Sequence, residues 1–105
     1  MSERLLYSLK LKSVRTAPPG YDIPTCQGTT CQVTTENLIV PGATYGSKTP
    51  LRLIGECEEI RREGTLENFV RIDTIHYHMT LCCNTYADCE KLAHAIRTSP
   101  GYVNP

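Results

Sequence analysis

The sequence predicts an α+β fold, in which a small antiparallel β-sheet with long loops carries one C-terminal α-helix over about residues 86–97. In several segments apolar and polar residues alternate with a period of two, which is typical of half-buried strands. One segment near the C-terminus instead has apolar residues at helical spacing. A chain of 105 residues is expected to form a single domain, spanning residues 1–105.

The first half contains two predicted strand regions and two long loops. Alternate positions of residues 5–12 are apolar and are expected to share the buried face, namely Leu5, Tyr7, Leu9 and Leu11. Val14 breaks this alternation, so a bulge or the end of the strand is expected there. The remaining residues are predicted as a loop over 16–30, a strand over 31–35 that resumes at 38–40, and a second loop over 41–50.

The second half is predicted to contain a strand over residues 51–60 and a long strand over residues 69–83. The later part of the long strand places five apolar residues on one face: Ile75, Tyr77, Met79, Leu81 and Cys83. A strand of this length would span roughly 50 Å. A bend is therefore expected near Asp73 and Thr74, where the apolar positions change parity.

The C-terminal helix has recognisable start and stop signals. Thr85, with Asp88 three residues later, resembles a capping box. The apolar stripe that should face the core consists of Cys89, Leu92, Ala93 and Ile96. The Ser-Pro-Gly sequence at residues 99–101 is expected to end the helix.

Composition and charge disfavour several classes of partner. The chain has eleven basic and eleven acidic residues and a formal net charge of zero, so it has no basic surplus for binding nucleic acid. It has no apolar run of about 18 residues that could span a membrane, and its first residues do not resemble a signal peptide. We therefore expect no membrane partner, no specific nucleic acid and no small-molecule substrate.

Six cysteines leave the redox compartment open. An even number in a chain of this size is compatible with a disulfide scaffold. The same thiols in a reducing compartment would behave as small apolar residues that are easily buried.

The strongest candidate for a metal site is the pair His76 and His78 with Cys82. If residues 69–83 form one strand, these three side chains share a face, and two imidazoles with a thiolate suit zinc. A solvent-exposed polar face explains the same pattern, and that interpretation is preferred.

Two further groups of residues are candidates for a catalytic site. Cys83 and Cys89 flank the start of the helix, but Cys89 opens the apolar stripe and should point into the core. A group of acidic residues on the predicted hairpin is explained by cross-strand ion pairs with nearby arginines. No nucleotide-binding or hydrolase motif occurs. The sequence predicts no enzyme and no cofactor.

The segment over residues 51–97 resembles the C-terminal part of bacteriophage tail-completion or tail-terminator proteins. In those proteins a long strand leads into a helix with a characteristic pattern, which is matched here by Thr85, Tyr86, Ala87, Asp88, Leu92, Ala93 and Ile96. The family usually opens with a helix, whereas residues 5–40 here are predicted as strands and loops, so neck and head–tail joining proteins are alternatives in the same class.

This resemblance implies a non-enzymatic virion subunit that forms a ring, often a hexamer, at the head–tail junction. Its partners would be copies of itself and other tail or neck proteins, and it would assemble in the host bacterial cytoplasm with reduced cysteines. In such a ring two different faces of each subunit meet.

The alternative is a secreted three-finger binding module, such as a receptor ectodomain or its ligand. The run from Cys82 to Cys89, with Cys26, Cys31 and Cys57 upstream, resembles the cysteine pattern of that family. The match departs in three places: five residues separate Cys83 from Cys89 where the family has four, Glu90 stands where the family has Asn, and residues 1–25 contain no cysteine. This resemblance implies an extracellular protein with disulfide bonds.

Contact residues for a partner are expected on the two long loops, because loops of this length in a small domain are often functional. Tyr21, Ile23 and Tyr45 are the predicted anchors of a subunit interface. Apolar and aromatic side chains in loops are typical of positions that a partner covers.

Overall fold

The computed structural model describes residues 3–17, 28–43, 46–61 and 68–103. This part of the chain forms eight strands, a short 3-10 helix over Leu51–Leu53 and one α-helix. The strands are β1 (Leu5–Lys10), β2 (Ser13–Ala17), β3 (Thr30–Thr34), β4 (Asn37–Ile39), β5 (Lys48–Pro50), β6 (Glu56–Arg61), β7 (Asn68–Asp73) and β8 (His78–Cys83). The helix α1 covers Tyr86–Thr98.

The strands form two antiparallel sheets rather than the one sheet predicted. The strand order is β1-β3-β4-β5 in the first sheet and β2-β8-β7-β6 in the second. The predicted break near Val14 is confirmed, because β1 ends at Lys10 and β2 begins at Ser13. At this break the chain passes from one sheet to the other, and the Lys12 amide donates to the Cys82 carbonyl at 2.9 Å.

The predicted long strand over residues 69–83 is wrong, because β7 and β8 form a hairpin in which Asp73 pairs with His78. The Thr74 side chain supports the reversal. Its hydroxyl donates to the Tyr77 carbonyl at 2.9 Å and accepts from the Tyr77 amide at 3.1 Å. Such a side-chain-to-backbone link stabilises a tight turn.

Residues 46–54 also differ from the prediction. Lys48–Pro50 forms β5 within the predicted loop, and Leu51–Leu53 is a 3-10 helix within the predicted strand. The backbone explains the change of conformation: the Leu51 amide donates to the Glu36 carbonyl at 2.9 Å, and the Ile54 amide turns back to the Leu51 carbonyl at 3.2 Å.

The core lies between the two sheets and beneath α1. The predicted helical stripe is confirmed, since all four of its members are fully buried: Cys89, Leu92, Ala93 and Ile96. The predicted cap is also confirmed, because the Thr85 hydroxyl accepts from the Asp88 amide at 3.1 Å. The helix packs on both sheets, contacting β1 in one and β6, β7 and β8 in the other.

Candidate functional site

An open cleft of about 470 Å³ lies between β1 and α1. We call it the β1–α1 cleft. Its strand side consists of Arg4, Leu6 and Tyr7, and its helix side consists of Lys91, His94, Ala95, Thr98 and Pro100. Four of the helix residues follow the i, i+3, i+4, i+7 spacing and therefore share one helix face, separate from the core stripe. Small-ligand and peptide sites commonly fall in this range of volume.

The strand side of the cleft is the unpaired edge of a sheet. Among the strands described, β1 pairs with β3 alone. The pairing register shifts between Leu5 and Tyr7, so Leu6 is an extra residue that forms a β-bulge. The bulge leaves Leu6 40% exposed on the wall of the cleft.

The same bulge overturns the prediction for Leu5. This residue was expected on the buried face with Tyr7, but it is 54% exposed. One extra residue in a strand reverses the facing of everything before it, because side chains alternate with a period of two. The side chains of Tyr7 and Leu9, after the bulge, do pack against the core as predicted.

The polar rim of the cleft is cationic. Arg4 and Lys91 carry positive charge, and the His94 ring adds a hydrogen-bond donor. Within the part of the chain that the structure describes, none of these three side chains forms a hydrogen bond or an ion pair. Among the described residues, no carboxylate belongs to the lining.

Two acidic groups lie near the cleft, and one of them, Glu3, is directed away from it. The Glu3 carboxylate accepts from the Thr34 hydroxyl and from the Asn37 amide group at 3.0 Å, and it lies 3.9 Å from the Lys48 ammonium. These hydrogen bonds, led by that from Thr34, lower the pKa of Glu3. Burial, with the Asp88 carboxylate nearby, raises the pKa of Tyr7, so the phenol stays protonated in the cleft.

On the side of α1 that faces away from the cleft, the helix is bonded to the neighbouring strand, β6. Arg97 lies 2.9 Å from the Glu59 carboxylate and also donates to the Cys57 carbonyl, so the edge of β6 is joined to the helix. Of the two sheet edges beside α1, the edge of β1 is therefore the one that can accept a further chain.

The three predicted interface anchors lie outside the described residues. Tyr21 and Ile23 fall in residues 18–27, and Tyr45 falls in residues 44–45, so their place at an interface stays a prediction.

The residues considered for zinc are not brought together. His76 lies in the turn between β7 and β8, and Ile75 beside it is 81% exposed rather than on the predicted buried face. His78 and Cys82 do share a face of β8, but four strand residues span roughly 13 Å, which is too far for one metal ion. Within the described ranges, no group of three or more metal-ligating side chains is present.

The described cysteines Cys31, Cys57, Cys82, Cys83 and Cys89 are free thiols, and all but Cys82 are buried. Burial raises the pKa of Cys31 to about 12 and that of Cys57 to about 11. Burial also raises the pKa values of Cys83 and Cys89. Thiols in this environment are poor nucleophiles, because the reactive thiolate is disfavoured.

Three of the acidic residues of the hairpin lie beside arginines, whereas Glu56 lies opposite Asp73. Glu58 lies opposite Arg71 across β6 and β7, and Arg71 pairs with Asp73 at 3.2 Å. Glu59 pairs with Arg97, as described above. The ion pairs of this group thus lie within β7 and between α1 and β6, and the expected cross-strand ion pairs stay a prediction.

The single α-helix in the described residues is too short and too polar to cross a membrane.

Comparisons with known proteins address the fold. A scan against protein-family profiles and a search of curated proteins found no match. A solved structure, the Vps36 N-terminal PH domain, is similar with a TM-score of 0.61 and 10% identity over 90% of this chain and 80% of that chain. The chain therefore has a PH-like fold of two antiparallel sheets and one C-terminal helix.

Neither family resemblance seen in the sequence gains support from these comparisons. The virion subunit, its ring of identical copies and its assembly in a bacterial host stay predictions. The secreted three-finger module stays one as well.

The sequence analysis did not predict the cleft, whose helix residues Lys91 and His94 are exposed. One local signal was available, because the adjacent residues Leu5 and Leu6 cannot both lie on one face of a regular strand. No local sequence pattern predicts that Arg4 lies beside the helix, because almost the whole length of the chain separates them.

Proposed function

We propose that this chain is a non-catalytic binding domain that recognises a segment of another protein in the β1–α1 cleft. The observation that carries the proposal is the cleft itself, an open space of about 470 Å³ along an edge of β1 that no described strand pairs with. Its apolar wall, formed by Leu6, Ala95 and Pro100, gives a bound segment a surface to cover. Its polar rim offers donors that orient such a segment.

The chemistry of the described side chains favours binding over catalysis. The buried thiols have raised pKa values, and two hairpin carboxylates, Asp73 and Glu59, pair with arginines. An unpaired strand edge beside a helix is, in contrast, a common place for an extended peptide to add.

The test is a selection from a random peptide library displayed against the folded domain. Ala95→Trp places a large side chain in the cleft, and its matched control is Leu53→Trp, beside the edge of the first sheet farthest from β1. We expect selected peptides to bind the wild type and the Leu53→Trp variant but not the Ala95→Trp variant. Circular dichroism confirms that both variants fold.

Two outcomes contradict the proposal. One is that the selection enriches no peptide. The other is that enriched peptides bind the Ala95→Trp variant as tightly as they bind the wild type.

A further inference from the structure

We propose that the β1–α1 cleft takes an acidic, extended segment of a partner protein, an inference that rests on the function proposed above. The carboxylates of the segment pair with Arg4 and Lys91. Its apolar side chains pack on the wall formed by Leu6 and Ala95.

Charge is the first argument. Arg4 and Lys91 both line the cleft, and in the described residues neither side chain has an acidic partner. Elsewhere in the domain arginines beside the sheets do find carboxylates, as Arg71 does with Asp73 and Arg97 does with Glu59. What distinguishes the two cations of the cleft is that they line the same open space, where a ligand can neutralise both.

The surrounding acids strengthen this argument. Glu3 is adjacent to Arg4 in sequence, but its carboxylate is held by Thr34 and Asn37 on the other side of the strand. Asp88 lies one turn before Lys91 in α1 and close enough to Tyr7 to raise its pKa, but neither Asp88 nor Glu90 belongs to the described lining of the cleft. An acidic ligand thus meets no carboxylate on the described walls.

The shape of the cleft argues for an extended segment. One wall is the unpaired edge of β1, which favours a chain lying along the strand. The other wall is a helix face with a cation at Lys91 and an apolar position at Ala95, four residues apart. Acidic and apolar side chains that alternate along an extended chain match this mixture of contacts.

A peptide is favoured over a membrane or a nucleic acid. Those polyanions are usually contacted through a broad basic surface. This chain has as many acidic as basic residues, so it has no such surplus. Two cations beside an apolar wall suit a ligand that is itself part acidic and part apolar.

The test uses three synthetic peptides with blocked ends, in which Val alternates with Glu, with Gln or with Lys. Binding is measured by titration calorimetry and by amide chemical shifts in the full chain. We expect the Glu peptide to bind, to shift the amides of Leu6 and Ala95, and to weaken as salt is raised. We expect the Gln peptide to bind about tenfold more weakly and the Lys peptide not to bind.

Charge reversal in the protein completes the design. Lys91→Glu should weaken the Glu peptide about tenfold and should gain binding of the Lys peptide. The matched control is Arg52→Glu, an exposed reversal beside the far edge of the first sheet, which should change neither affinity.

The outcomes separate this inference from the proposed function. If the Gln peptide binds as tightly as the Glu peptide, and Ala95→Trp abolishes both, then the acidic ligand is wrong and the binding cleft stands. If none of the three peptides binds, the acidic extended ligand is wrong, and the library selection described above decides whether the binding cleft stands. If a peptide binds and Ala95→Trp has no effect, both proposals fail. Binding to phosphatidylserine vesicles that is lost in Lys91→Glu, without peptide binding, would replace the peptide by a membrane surface.

Discussion

The Nη2 atom of Arg97 and the Oε2 atom of Glu59 lie 2.9 Å apart, joining the last turn of α1 to β6. The same guanidinium donates to the backbone carbonyl of Cys57. One side chain on the helix thus contacts two positions of one strand. These two contacts of Arg97, which we call the clasp, hold the helix on the side opposite the β1–α1 cleft. The clasp should therefore affect stability rather than binding.

Replacing Arg97 by Ala should lower the free energy of unfolding by about 1–2 kcal/mol, because a backbone carbonyl and a carboxylate both lose a charged donor. Urea denaturation followed by circular dichroism measures the change. Arg71→Ala is the matched control: Arg71 pairs with Asp73 on a more exposed surface, and its loss should amount to less than about 0.5 kcal/mol. Equal losses in the two variants would show that the clasp adds nothing beyond an ordinary surface ion pair.

Acidification should reduce stability through Glu59 and Glu3. Burial alone would raise the pKa of Glu59, but the hydrogen bond and charge of Arg97 outweigh it and the pKa lies below its ordinary 4.5. The unfolded chain then binds more protons than the folded chain, so the stability is present above about pH 4.5 and is lost as pH falls below it.

The variant Glu59→Gln tests this assignment. Its stability should fall less steeply than that of the wild type as pH is lowered from about 5 to about 3. The measurement is the urea midpoint at a series of pH values. Parallel profiles for the two proteins would remove Glu59 from the explanation and leave the acid sensitivity to Glu3 and other carboxylates.

Most of the described thiols should resist modification in the folded protein. The pKa values of about 12 for Cys31 and about 11 for Cys57 leave almost no thiolate at pH 8. With Cys26→Ser as the background, an aromatic disulfide reagent should react quickly with Cys82, the half-buried thiol, and with the others only after unfolding. Mass spectrometry after a short exposure identifies the modified residue. Rapid modification of Cys31 at the same pH would contradict its burial.

Gly101 should not tolerate a side chain. A Cβ atom there would lie 2.7 Å from the Thr35 carbonyl oxygen, whereas at Gly55 it would meet the Asp73 carbonyl oxygen at an ordinary 3.6 Å. Gly101→Ala should therefore destabilise the domain by about 1–3 kcal/mol, since rigid backbone must move. Gly55→Ala, the control, should change stability by much less. Thermal unfolding of the two variants side by side decides the comparison.

Local signals explain which parts of the fold could be predicted. The cap at Thr85 and the stripe that begins at Cys89 lie within one turn or a few turns of each other, so the sequence specified the helix almost to the residue. The break before Val14 was visible for the same reason, as a fault in a short alternation.

The turn at residues 74–77 was not predicted because the underlying signal has two explanations. That signal is the change of the buried apolar positions from even to odd residue numbers. Buried Ile72 and buried Met79 have opposite parity, which a bend in one strand and a complete turn produce equally well. Only the pairing of Asp73 with His78 distinguishes the two explanations. The alternation of apolar and polar residues does not specify which residues pair. The cleft escaped prediction on similar grounds, since it joins the two ends of the chain.

The first strand segment contributes one strand to each sheet. This has a consequence for folding during synthesis. Residues 5–17 leave the ribosome first, yet Ser13 finds its partner in Cys82, most of the chain's length later. Until β8 emerges, the backbone of β2 lacks the strand with which it pairs in the described fold. Partners so far apart in sequence make closure slow. A nascent chain stalled before residue 78 therefore presents an open strand to its neighbours, so protection of this domain against aggregation depends on the emergence of β8.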